Sequence, residues 1–319
     1  MKRIRDLSVL TLCLMVVVLA GCTVTHQPSP SKSTPFAEIP RFSYEREELR
    51  PRVQRIEEEN AFRVEKVAFP SSMPPHSVTA YHYVRKSRKP SPTIIILPIL
   101  AGDYFFSRNC ARYLARRGFS CLRFERTTNP LEAEKGLAHT EMVFRHAIID
   151  IRRAMDWLDQ TGGGDSNRMG IVGISMGAIV AALTLEVEPR INAAAILLGG
   201  GDIATILATS REKVVVQFRE EVMRAEAIGL EQFREEATRI LFPVDPLTYA
   251  PRVDPRNILM VNARFDRVIP PSRSEKLWEI LGRPLWIRIP TGHYSAALFL
   301  PYLRYRILKH FRKVFAEGE

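Results

Sequence analysis

Cysteine is scarce in this 319-residue sequence, four residues in all, so no framework of disulfides builds the fold. Acidic residues are outnumbered, 35 Asp and Glu against 46 Lys and Arg, for a net charge of +11. That excess is not gathered into a basic run interleaved with aromatics, which argues against nucleic acid as a partner. The seven histidines lack the close spacing of a zinc site, and there is no Gly-x-Gly-x-x-Gly. Gly162-Gly163-Gly164 has neither the lysine nor the strand context of a phosphate loop. No metal and no organic cofactor is therefore expected. No internal repeat is found. Hydrophobic residues make up 46% of the chain, enough for a sizeable core, which excludes disorder.

The N-terminus carries an address. Lys2, Arg3 and Arg5 precede an uncharged, mostly apolar run over residues 7–21, the layout of a secretion signal. At 15 residues the run is short of the roughly 20 that span a bilayer. It ends in Leu19-Ala20-Gly21-Cys22, which resembles the bacterial lipoprotein signal. The resemblance implies that residues 1–21 are removed and that Cys22 is acylated. It further implies a chain lipid-anchored in the bacterial cell envelope, at the outer membrane facing the periplasm. The alternative is an uncleaved signal anchor. Loss of residues 1–21, with three basic side chains and one acidic, leaves +9, a balance suited to an anionic surface or simply to solubility. Residues 22–40, rich in Ser, Thr and Pro, read as a flexible tether, and 41–319 as the folded domain. With Cys13 in the signal and Cys22 acylated, Cys110 and Cys121 are left, either bridged or separately buried.

Beyond the tether, residues 62–69 and 78–84 read as a hairpin, and 93–97 as a strand buried on both faces. Helices are expected over 106–117 and 141–158, the second with Val143, Ala147, Ile148, Ile151, Met155 and Leu158 at helical spacing. Strands over 119–124, 169–174, 191–198, 256–261 and 285–289 alternate with helices over 176–185 and 272–281, and a helix over 296–315 closes the chain. Such alternation predicts an α/β fold with a mostly parallel central sheet flanked by helices. Residues 199–252 interrupt the rhythm with helices near 212–227 and 230–240 and are expected to form a helical cap.

Gly173-Ile174-Ser175-Met176-Gly177 falls where a strand should turn into a helix. A nucleophile at that junction needs a tight turn, and glycine on either side lets strand and helix approach. A serine also needs a neutral imidazole to take its proton and an acid to orient that imidazole. His293 alone among the histidines directly follows the final strand, in Pro290-Thr291-Gly292-His293. Asp266 lies in the loop after the penultimate strand, and Asp202, after the strand ending at 198, is an alternative acid.

These motifs resemble the α/β-hydrolase superfamily over roughly residues 62–315. Within it the chain is similar to dienelactone-hydrolase and prolyl-oligopeptidase-like esterases, where a short apolar stretch and a proline often follow the acid, as in Asp266-Arg267-Val268-Ile269-Pro270. The resemblance implies Ser175 as nucleophile, Asp266 as orienting acid and His293 as base and then acid. It implies an oxyanion hole from the N–H of Met176 and an N–H after strand 93–97, with Leu100 chosen and Ile99 or Ala101 as neighbours in register. The expected activity is hydrolysis of a small-molecule ester through an acyl-enzyme. A serine peptidase and a non-enzymatic envelope-binding protein are the rival classes. Tyr104, Phe105, Phe106, Ile203, Ile206, Phe218 and Leu241 are candidates for an acyl pocket and equally for ordinary core.

Overall fold

Short β-branched and apolar runs, most of them bounded by proline or glycine, pair into one ten-stranded sheet. The computed structural model describes residues 22–25, 28, 38–100, 104–249 and 254–316. Its strands are β1 (Thr23–Thr25), β2 (Arg52–Glu58), β3 (Phe62–Pro70), β4 (Ser77–Arg85), β5 (Pro92–Ile96), β6 (Ser120–Phe124), β7 (Asp165–Ile174), β8 (Ile191–Leu197), β9 (Ile258–Ala263) and β10 (Leu285–Ile289). They lie in the order β1-β10-β9-β8-β7-β5-β6-β4-β3-β2. From β6 through β10 every pairing is parallel, while β4, β3 and β2 on one side and β1 on the other add antiparallel margins. The parallel strands are covered on both faces, which is why Ile94, Ile95 and Ile96 are all fully buried.

One face packs on α1 (Phe105–Ala115) and the C-terminal α8 (Leu300–Ala316), the other on α2 (Gly136–Thr161), α3 (Met176–Val187) and α7 (Pro271–Ile280). Helix α2 begins five residues before the expected start and ends at Gly162, which takes the left-handed conformation (φ 63°) that releases a chain from a helix. Between β8 and β9 stand α4 (Ile203–Thr209), α5 (Lys213–Ala225) and α6 (Leu230–Leu241), the expected cap. Phe218 and Phe233 are buried in its core, each contributing about 1.5–3 kcal/mol by leaving water. Among the described residues no helix is long and apolar enough to cross a membrane.

Two strands were not expected. β2 is exposed at all but one position and carries a bulge between Arg55 and Glu57, the charged, irregular edge that discourages pairing with another chain. β1 falls inside the stretch read as a tether: Thr23, Val24 and Thr25 pair with Arg288, Ile287 and Trp286 of β10. The β-branched side chains of Thr23, Val24 and Thr25 suit that otherwise open edge. The signal, residues 1–21, lies outside the described residues, as does most of 26–37. Cys110 on α1 and Cys121 on β6 are both buried free thiols, and burial pushes the Cys110 thiol up to about 12.

Candidate active site

Ser175 stands between β7 and α3 with φ 56° and ψ −122°, a backbone conformation that costs a non-glycine residue on the order of 1–3 kcal/mol. Backbone bonds on both sides hold it there. Its N–H donates to the Leu197 carbonyl of β8 at 2.9 Å, and its carbonyl accepts from the Ala178 N–H at 2.9 Å. The flanking glycines are required by space. A Cβ on residue 173 would lie 2.0 Å from the Gly177 carbonyl oxygen, and one on residue 177 would lie 2.5 Å from the Pro98 carbonyl oxygen. The chain leaving β5 therefore passes directly against the turn.

The loops after β9 and β10 continue their strands' parallel pairing. Arg264 N–H donates to Ile289 O at 2.9 Å, and Phe265 N–H to Thr291 O at 3.0 Å. This zipper brings Asp266 beside His293 although they are 27 positions apart. Asp266 is buried, and its Oδ1 accepts from the N–H groups of Val268 and Ile269 at 2.8 and 2.9 Å. Its Oδ2 accepts from His293 Nδ1 at 2.7 Å. A carboxylate can only accept, so Nδ1 carries the hydrogen and Nε2 presents a lone pair. Ser175 Oγ donates to that Nε2 at 2.9 Å. Ser175, His293 and Asp266, from three separate loops, thus form one hydrogen-bonded line.

Asp202 lies elsewhere. Its carboxylate caps α4 by accepting from the Thr205 N–H and pairs with Arg273 at 2.5 Å and Lys276 at 3.5 Å. These partners favour the charged form and hold its carboxyl below the usual range against the opposing effect of burial. Met176 opens α3, where backbone N–H groups have no partner within the helix. Leu100 is partly buried at the turn following β5, and its neighbour Ala101 lies outside the described residues.

No protein-family profile and no curated protein matches the sequence. Solved structures match in shape. An acetyl xylan esterase from a Thermoanaerobacterium species superposes with a TM-score of 0.61 at 17% identity, over 80% of this chain and 88% of that one. A second acetyl xylan esterase, from a Paenibacillus species, gives 0.63 at 14% identity over 81% and 89%. A structure titled a putative dienelactone hydrolase, from Klebsiella pneumoniae, gives 0.55 at 17% over 79% and 99%. The fold is that of the α/β-hydrolases.

In this α/β-hydrolase fold a small cleft, with a cavity volume of about 70 Å³, opens beside Met176 and Gly177, next to the turn at Ser175. Pro98, Phe124, Val143, Ala147, Met176 and Val180 give it a mostly apolar lining, with Glu125, Arg126, Thr128, His146 and Asp150 as polar points. The expected pocket residues are not its walls. Ile203, Ile206, Phe218 and Leu241 pack into the core, Phe106 packs on the α1 side of the sheet, and Phe105 is mostly exposed. Tyr104 accepts from the Arg126 N–H at 3.3 Å, close to the cleft without lining it. The actual walls come from the segment after β6 and from α2, where Val143, Ala147 and Ile151 were legible as an apolar stripe but not as a binding surface. No group of three or more His, Cys, Asp or Glu side chains suited to a metal ion occurs among the described residues.

Proposed function

We propose that the protein is a serine hydrolase that cleaves carboxylic esters carrying a small or medium apolar acyl group. The observation that carries the proposal is the unbroken line from Asp266 through His293 to a strained, partly exposed Ser175. Ser175 Oγ attacks the acyl carbonyl while His293 Nε2 takes its proton, and the imidazolium so formed is stabilised by Asp266. The N–H of Met176 and an N–H of the loop after β5, Leu100 in our assignment, receive the negative charge on the carbonyl oxygen. His293 returns the proton to the leaving alcohol as the C–O bond breaks. Water, deprotonated by the same imidazole, then releases the acid and regenerates the serine.

The apolar cleft next to Met176 supports an alkyl or acyl chain of modest size over a charged one. The similarity to two acetyl xylan esterases fits a short acyl group as well. Leu19-Ala20-Gly21-Cys22 supports acylation of Cys22 and a place at the bacterial envelope. Ser175→Ala is expected to remove turnover of activated short-chain esters, a loss of about 10⁴-fold or more, with the fold intact. A fluorophosphonate probe should label the native chain and not the variant. Equal ester turnover by the two proteins would overturn the assignment.

A further inference from the structure

The position of β1 determines where an anchor at Cys22 sits. β10 runs parallel to β9, and its carboxyl end leads within four residues to His293. β1 is antiparallel to β10 with Thr23 opposite Arg288, so Cys22 lies beside Ile289, at the same end of the sheet as the Ser175 line. Arg264, two residues before Asp266, donates to Thr23 Oγ1 at 3.0 Å and ties the anchor strand to the Asp266 loop.

The same end of the sheet exposes large side chains with apolar surface; among them Tyr294 meets the His293 ring edge-on and donates its hydroxyl to Glu212 at the start of α5, leaving its ring edge, Phe265 and Leu298 toward solvent. Phe265 is 67% exposed, Tyr294 68% and Leu298 82%. Phe265 adjoins Asp266 and Tyr294 adjoins His293, with Leu298 in the turn that follows, and the Phe265 N–H bond to Thr291 keeps the two loops together. Arg264 and Arg267, both exposed, stand on either side of this pair. Large apolar groups next to arginines, at the end of a sheet where an acyl chain would emerge, match the depth profile of a membrane interface: aromatic rings at the headgroup level, cations among the phosphates.

We propose that this end of the molecule rests on an anionic phospholipid bilayer, with Phe265, Tyr294 and Leu298 in the headgroup region and the acylated Cys22 beside them. The proposal rests on acylation of Cys22 as inferred above. It does not depend on which ester is cleaved.

The full chain, purified from cells that process lipoproteins, is reconstituted into vesicles of phosphatidylethanolamine and phosphatidylglycerol. Leu298→Cys and, separately, Val53→Cys on β2 receive an environment-sensitive dye; Cys110 and Cys121 are buried and Cys22 is blocked by its acyl group. β1 and β2 are opposite edges of the sheet, about 40 Å apart at roughly 4.8 Å per strand. Spin-labelled lipid is expected to quench the dye at position 298 strongly and the dye at 53 little, with short-ester turnover of both variants unchanged. Equal quenching at the two positions, or a Cys22 that mass spectrometry finds unmodified, overturns the proposal. Turnover read on the same preparations reports separately on the hydrolase assignment.

Discussion

The molecule contains two groupings of serine, histidine and aspartate, one at the ends of β7, β9 and β10 and one between the β3–β4 connection and α2. In the first, Asp266 bonds His293 and His293 bonds Ser175. In the second, Ser72 Oγ lies 2.8 Å from His146 Nδ1, but Asp150 turns to other partners: its oxygens accept from Ser71 Oγ at 2.5 Å, the Ser72 N–H at 2.7 Å and Arg153 at 3.2 Å. Burial, aided by Arg145, lowers the His146 pKa and favours its neutral form. The difference is in the order of the bonds and in the backbone beneath the serine. Ser175 is held at φ 56° at the start of a helix, whereas Ser72 sits in the connection between β3 and β4 without that strain. The same three residue types in contact make a continuous line ending on a strained serine in one place and a loop brace in the other.

The comparison breaks most sharply at the carboxylates. Asp266→Asn removes the acceptor that fixes the His293 tautomer, since an amide can turn its NH₂ toward Nδ1 and leave the proton on Nε2. Turnover of a short ester is expected to fall about 10³–10⁴-fold with the circular dichroism spectrum unchanged. A fall no larger than that of Asp150→Asn would mean that the two groupings do not differ as described.

The strain beneath Ser175 is tested next. Gly173→Ala puts a methyl 2.0 Å from the Gly177 carbonyl oxygen; the methyl is fixed to the chain and its neighbour is backbone, so neither a rotamer nor a flexible side chain can yield. The expected cost is about 3 kcal/mol of stability, at the upper end for an overpacked site, together with loss of turnover. A melting temperature and kcat equal to the parent's would show that the turn is looser than its geometry.

What was legible in the sequence followed from proximity along the chain. The turn at Ser175 is announced by five residues between an apolar strand and a helix, and His293 by its place directly after β10. Asp266 needed only the order of the last strands. The cleft was illegible because its walls join positions such as Val78, Phe124, Val143 and Val180, which come together only through sheet order and helix packing. The apolar residues put forward instead, Phe218 and Leu241 among them, were used to hold the cap together. β2 escaped because an exposed edge strand shows no alternation of apolar and polar positions, and β1 because three residues suffice when a ready-made edge awaits them.

The smallest expected effect is the one that most sharpens the contrast. Ser72→Ala removes the hydroxyl that meets His146 but leaves the Ser72 N–H on Asp150 and the Ser71 hydroxyl beside it, so the loop keeps its brace. His146 is only partly buried, and water can replace the lost partner, which limits the cost to about 1 kcal/mol or less. Turnover should change by no more than about threefold, equivalent to roughly 0.7 kcal/mol in the barrier. The decisive comparison is made in the Ser175→Ala background. If Ser72 were a second nucleophile, residual ester cleavage there would disappear on adding Ser72→Ala; if it is a brace, the residual rate stays where it was, because an imidazole without a carboxylate to orient it has no means of driving the attack.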